Sequence, residues 1–182
     1  MKIILASSSP RRSYILSMIG LDFVTIPPKV KEEFKYKNPI INARKLALMK
    51  AMNVWRRNKD NVVVGADTVV FTEDRIIGKP SSEEEAVEML KFLSGRWHWV
   101  VTAIAVIKKG RRLIKHDVAK VKFRNIKDKE IFEYVKSGKP LDKAGSYGIQ
   151  DYGATFVEKI EGDFYTVMGM SPRLLITLLE QL

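Results

Sequence analysis

Short apolar runs edged by polar turns alternate along this chain with stretches whose apolar residues recur every three or four positions, which predicts strands alternating with amphipathic helices. A strand is expected over residues 1–5, where Ile3, Ile4 and Leu5 form a buried-strand run. Pro10 suits the first turn of a helix and Ser9 the N-cap before it; Ile15, Leu16, Met18 and Ile19 supply the core face, and Gly20 stops the helix. A strand over 22–26 closes at Pro27-Pro28, and the lysine-rich segment 29–39, without periodicity, reads as a surface loop. The next helix, 40–58, places Ala43, Leu46, Ala47 and Met49 at helical spacing.

Residues 61–71 are strongly β-forming, with Val62 to Val64 and Val69 to Phe71 enclosing Gly65-Ala66-Asp67-Thr68. A turn at 72–75 returns the chain through Ile76 and Ile77 to Gly78-Lys79-Pro80. Capping-box spacing at 82–85 opens a helix with Ala86, Val87, Leu90 and Leu93 on its apolar face, ended at Ser94-Gly95. Residues 96–107 and 113–123 read as a long β-hairpin joined at Lys108-Lys109-Gly110. A helix over 128–136, a polar glycine-bearing loop over 140–153, a strand over 154–160 and a C-terminal helix over 172–182 complete the pattern. At 182 residues, 46% of them apolar, the chain is long enough for one domain with a sizeable core, elongated and with a cleft.

Lysine and arginine outnumber aspartate and glutamate by 32 to 21, a formal charge of +11, so anionic partners are expected. Charge alone does not choose among nucleic acid, an acidic membrane surface and a small polyphosphate. The lack of cysteine excludes disulfides and thiolate metal sites, and the two histidines, His98 and His116, have no zinc-ligand spacing. No apolar run reaches membrane-spanning length and the N-terminus has no cleavable signal pattern, so a soluble cytoplasmic protein without a membrane partner is expected. The chemical tools left are carboxylates, lysines, arginines and amides, the set that works on phosphates with a hard divalent ion.

Several positions carry candidate chemistry. Ala6-Ser7-Ser8-Ser9-Pro10-Arg11-Arg12 lies where a helix start exposes unpaired N–H groups, and reads either as a phosphate cradle or as a capped helix with two solvated arginines. Asp67, within a buried strand, requires a metal, a lysine or backbone donors as partner, unless an Asx turn at 65–67 breaks the strand. Lys79 is fixed between glycine and proline. Glu32 and Glu33 read as metal ligands or as surface counter-charges, and 140–153 as a backbone wrapped round a ligand or a plain loop. Trp97-His98-Trp99 could stack bases, but successive strand residues face opposite sides, so core and edge packing is expected.

Taken together, Ser7-Ser8-Ser9-Pro10-Arg11-Arg12, Gly65-Ala66-Asp67-Thr68, Gly78-Lys79-Pro80, Asp142-Lys143-Ala144-Gly145-Ser146-Tyr147-Gly148-Ile149-Gln150 and Gly162-Asp163-Phe164-Tyr165 resemble the Maf family of nucleotide pyrophosphatases, in the family's order and over nearly the whole chain. The resemblance implies an α/β fold, a mixed twisted sheet flanked by helices round a central cleft, in one domain over 1–182. It implies hydrolysis of a nucleoside triphosphate to monophosphate and pyrophosphate with Mg²⁺ or Mn²⁺, nucleotide-pool housekeeping, a link to cell-division arrest, and a homodimer. Residues 142–150 look like the branch acting on dTTP and UTP rather than on 7-methyl-GTP. Carried onto this chain, the family's proton acceptor corresponds to Asp67, and Ser7, Arg11, Thr68 and Gln150 fall on substrate-binding and specificity positions. Arg12, Lys50 and Lys79 match its phosphate-handling cations, and Glu32 and Glu33 its loop acids, candidate metal ligands with Asp67. Two positions depart from the family's usual pattern: Lys31 replaces an apolar residue and Ser171 interrupts the run after Gly169. Asp67 as base and Asp67 as metal ligand both remain open here. The rival from another class is a basic nucleic-acid-binding regulator without catalysis; a third reading is a non-catalytic phosphate-binding module. With the resemblance in hand, nucleic acid is not expected as the main ligand.

Overall fold

A computed structural model describes residues 3–182; Met1 and Lys2, part of the strand expected over 1–5, lie outside the described residues. Among the described residues, seven strands share one sheet in the order β2-β1-β3-β5-β6-β7, with β4 beside β3. These are β1 (Ile3–Ala6), β2 (Phe23–Thr25), β3 (Val62–Phe71), β4 (Ile76–Ile77), β5 (Trp97–Lys108), β6 (Arg111–Phe123) and β7 (Val157–Glu161). The sheet is mixed: β1 runs parallel to β2 and β3, whereas β3–β4 and β6–β7 are antiparallel. Helices α1 (Pro10–Met18), α2 (Pro39–Trp55), α3 (Glu83–Leu93), α4 (Asp128–Lys136), α5 (Phe164–Met168) and α6 (Pro172–Glu180) flank it, the α/β class expected.

The chain divides into two compact units, one taking in residues up to Thr68 with Val101–Asp117 and Gly169–Leu182, the other Val69–Val100 with Val118–Met168. In the first, β1 is buried along its whole described length. The Gly20 end of α1 closes with Gly20 N–H donating to the Ser17 carbonyl and Leu21 N–H to the Leu16 carbonyl, a geometry that needs the positive φ of 72° at Gly20. Asn38 caps α2 by accepting from the N–H groups of Ile40 and Ile41. The expected core faces need correction at two methionines: Met18 and Met49 are exposed, while the buried stripes of α1 and α2 include Arg12 and Lys50. Ser171, the departure near the C-terminus, turns out to cap α6 by accepting from Leu174 N–H.

Strand β3 runs unbroken from Val62 to Phe71, so the Asx-turn alternative at 65–67 falls. It passes very close to α2, because a Cβ added at Gly65 would stand 2.6 Å from the Ala47 carbonyl oxygen and 2.7 Å from Ala51 N. Glycine in the strand and the small Ala43, Ala47 and Ala51 on the helix let the two backbones touch.

In the second unit α3 packs on α4, and a short 3₁₀ turn, Ala144–Ser146, packs on α3. Ser82 caps α3 by accepting from Glu85 N–H, but the Glu85 carboxylate bonds Ser81 instead of closing the expected capping box. The short helix α5 was not expected; Asp163 opens it by accepting from the N–H groups of Tyr165 and Thr166.

Gly65→Ala should destabilise the protein by roughly 1–3 kcal/mol, the usual range for overpacking, because the added methyl meets helix backbone and not a movable side chain. Urea unfolding followed by circular dichroism measures it, and an unchanged midpoint would show that α2 can shift.

Candidate active site

The turn after β1 folds inward. Ser7 is buried, and its Oγ accepts from Ser9 N–H at 3.1 Å and from Arg12 Nη1 at 3.3 Å. Ser9 holds the N-cap position of α1 by backbone angle, yet its side chain makes no capping bond, so the capping role expected of it is corrected. Arg12 is only 9% exposed, and is neither a solvated arginine nor an open fork. Its Nε donates to the Gly169 carbonyl at 3.0 Å and its Nη2 to Thr68 Oγ1 at 3.2 Å, and Thr68 Oγ1 in turn lies 2.8 Å from Thr102 Oγ1. Burial pushes the Arg12 guanidinium below its ordinary pKa, and Asp67 pulls it back up. Arg11, half-buried, precedes it on the same helical turn.

The Asp67 carboxylate answers the question its sequence raised: its partner is a lysine. Lys50 Nζ lies 2.6 Å from Asp67 Oδ1 and 2.7 Å from Glu32 Oε1, so one ammonium is shared by two carboxylates. The Lys50 and Asp67 side chains are 6% and 7% exposed, and Glu32 reaches in from its loop with 38% exposed. Burial raises Asp67 above the ordinary aspartate pKa, Lys50 and Arg12 lower it, and Glu32 adds to the rise. The close approach at Gly65 sets this up, since it brings the turn of α2 bearing Lys50 against the strand bearing Asp67. Glu33, by contrast, pairs with Lys31 and lies 3.9 Å from Lys35 on the exposed loop. Among the described residues no group of three His, Asp or Glu side chains is gathered to hold a metal ion. The donor chemistry of the Glu32 and Asp67 pair, two hard carboxylates, suits a magnesium-like ion completed by phosphate oxygens.

In the second unit, Lys79 is exposed on the Gly78-Lys79-Pro80 turn, and the Gly78 carbonyl accepts from Gly145 N–H at 3.0 Å. That bond joins the lysine's turn to the segment expected as an irregular loop, which instead contains 3₁₀ turns at Lys139–Asp142, Ala144–Ser146 and Tyr152–Phe156; the last of these takes up 154–156, expected as strand, so that β7 starts only at Val157. Tyr147, Gly148 and Ile149 are buried, and Gln150 is exposed. His98 Nε2 lies 2.8 Å from the Tyr147 hydroxyl, and burial pushes His98 down to about 3, so it is neutral at ordinary pH. Trp97 and Trp99 are half-buried, with Lys120 Nζ 4.6 and 5.3 Å from their ring centroids, on faces that stacked bases would need.

The structure therefore brings Ser7, Arg12 and Thr68 together, and Lys50, Glu32 and Asp67 together; Lys79 and Gln150 belong to the other unit. Sequence reasoning missed Thr102 as the partner of Thr68 and the Gly169 carbonyl as the partner of Arg12. Thr102 looks like an ordinary strand position, but for the burial of Arg12 and Lys50 a signal existed: both fall on the apolar stripe of their helices, spaced with Ile15 and Leu16 and with Ala43, Leu46, Ala47 and Val54.

The chain resembles known proteins from end to end. The dTTP/UTP pyrophosphatase of Aquifex aeolicus is 56% identical over 182 residues, 100% of this chain and 96% of its own. That of Thermotoga maritima is 48% identical over 93% of this chain and 83% of its own, and that of Bacillus cereus strain AH820 is 46% identical over 99% and 95%. Among solved structures, the Staphylococcus aureus Ham1 protein shares the fold with a TM-score of 0.55 at 16% identity, covering 100% of this chain and 99% of its own. The model of the family described as Maf-like protein matches residues 2–182, and on that match and these identities the chain belongs to the Maf family.

Proposed function

We propose that the protein hydrolyses nucleoside triphosphates, dTTP and UTP first among them, to the monophosphate and pyrophosphate. Support comes from relatives 46–56% identical over nearly their whole length that bear the name dTTP/UTP pyrophosphatase. The observation that carries the reading is the buried Asp67 carboxylate held by Lys50 within a cation-rich turn. Water attacking phosphorus needs a proton acceptor, and charge grows on the leaving pyrophosphate. Asp67 takes that proton: burial raises its pKa above the usual range, which favours a base, while Lys50 and Arg12 act in the opposite direction. Lys50, Arg11, Arg12 and Lys79 offset charge on the phosphate chain, Ser7 and Arg12 shape the turn beneath it, and Thr68 and Gln150 recognise the nucleotide. An amide such as Gln150 both donates and accepts, as the edge of uracil or thymine requires.

A divalent cation, Mg²⁺ or Mn²⁺, belongs to the same proposal. Glu32 and Asp67 would hold it, with Glu33 on the same loop as a further donor, and it would supply charge neutralisation on phosphate oxygens. Family resemblance carries nucleotide-pool housekeeping, a role in cell-division arrest, a homodimer and a cytoplasmic location as part of this reading. Among the described residues no helix is long and apolar enough to cross a membrane.

Incubation with each nucleoside triphosphate and Mg²⁺ should release pyrophosphate and monophosphate, fastest from dTTP and UTP. Release of inorganic phosphate alone, or of nothing, would overturn the reading. Asp67→Asn should lower turnover by about two or more orders of magnitude, the scale for losing a general base. Its fold should survive, because Lys50 keeps Glu32 as a partner and the roughly 3–5 kcal/mol penalty of an orphaned buried charge is avoided.

A separate expectation concerns charge alone. Glu32 repels the ionised form of Asp67, so Glu32→Gln should move the Asp67 pKa down, towards its ordinary value. Carbon-13 NMR titration of the Asp67 carboxyl in metal-free protein measures it; a rise would mean that Glu32 acts mainly by holding Lys50.

A further inference from the structure

Gln150 is exposed, yet the backbone on either side of it is fixed by one phenol. Tyr134, on α4, is buried, and its hydroxyl accepts from Gly148 N–H at 3.0 Å and donates to Asp151 Oδ1 at 2.7 Å. The same Oδ1 accepts from Gly153 N–H at 2.9 Å, and Asp151 N–H donates to the Gly148 carbonyl at 3.4 Å. Lys143 Nζ lies 3.8 Å from Asp151 Oδ2 and donates to Asp142 Oδ1 at 2.6 Å and to the Lys139 carbonyl. Two glycines make room for the arrangement. A Cβ on Gly148 would run into the Asp151 carboxylate, and one on Gly153 would stand 2.7 Å from the Gly148 carbonyl and 3.0 Å from the Tyr134 hydroxyl. Ile149 is buried, and Gln150, next along the chain, is exposed.

A phenol in this position bonds residue 148 and residue 151 at once and leaves the two residues between them little freedom. An amide that must present a donor and an acceptor in fixed directions gains from such restraint, because ordering done during folding need not be repeated on binding. The buried histidine extends the restraint one residue further back, through the Tyr147 hydroxyl.

We propose that Tyr134 is a positioning residue for nucleobase recognition: through Gly148 and Asp151 it fixes the turn that presents the Gln150 amide to a pyrimidine. The inference rests on the reading of Gln150 given above and adds to it residues that touch no substrate. Tyr134→Phe keeps the ring in its apolar place and removes only the oxygen. It should speed hydrogen exchange at the Gly148 amide, and lower kcat/KM for dTTP and UTP roughly tenfold, the factor that goes with about one hydrogen bond. Most of that loss should fall in KM, with kcat/KM for a purine triphosphate unchanged.

Asp151→Asn, which keeps the acceptor oxygen, should retain the pyrimidine preference, and Asp151→Ala should lose it as Tyr134→Phe does. In a Gln150→Ala background Tyr134→Phe should have no further base-selective effect. Unchanged Gly148 exchange in folded Tyr134→Phe, or equal losses for every base, would overturn the proposal. A Gln150→Ala enzyme that keeps its full pyrimidine preference would overturn it too, through the base-reading role and not through hydrolysis. No pyrophosphate from any nucleotide would instead strike at the hydrolytic reading, while Gly148 exchange would still report whether the phenol restrains the turn.

Discussion

One ammonium between two carboxylates is the interaction on which the candidate site depends. Strand β3 carries Asp67 through a buried region where an unpartnered carboxylate could not stay ionised, and Lys50 supplies the compensating charge from α2. The pair is costly to desolvate, and such pairs often add little net stability. Its placement is a matter of backbone, not of the two side chains: only a glycine at 65 and alanines at 47 and 51 allow the helix and the strand to approach closely enough.

Arg12 repeats the theme on α1. A guanidinium on the apolar stripe of a helix is tolerated because it finds an acceptor for each nitrogen in Ser7, Thr68 and Gly169. Gly169, whose carbonyl accepts from Arg12 Nε, adopts a φ of 122°, open to glycine. Thus the conspicuous Ser-Ser-Ser-Pro-Arg-Arg turn is held from beneath by one of its own arginines, and the first of its serines organises it by accepting two bonds.

The periodic elements were legible in the sequence almost throughout, because strand and helix periods report burial directly. The hairpin of β5 and β6 could be read from Lys109-Gly110, whose positive φ values of 47° and 84° suit a two-residue turn. Misreadings arose where an apolar side chain competed with a charged one for the same stripe. Met18 and Met49 have the hydropathy of core residues, yet Arg12 and Lys50 are inside, since partners rather than hydropathy decide whether a charge can be buried. Ser9 has the residue type of a cap, but its side chain makes no capping bond, and its own N–H is held by Ser7 two residues earlier. The loop at 140–153 has no period because its order comes from contacts distant in sequence: Tyr134 with Asp151, His98 with Tyr147, Gly78 with Gly145.

The buried cluster also argues for what must accompany the substrate. Counted by formal charge, Lys50 and Arg12 contribute two positive charges and Asp67 and Glu32 two negative ones, so the group is balanced before any ligand arrives. The formal charge of +11 does not alter this, because most of the lysines that produce it are exposed and screened beyond about 10 Å in ordinary salt. A triphosphate brought to such a cluster adds several negative charges that these four groups by themselves do not offset. A divalent cation would supply the missing positive charge, and Glu32 and Asp67 are the carboxylates that would hold it.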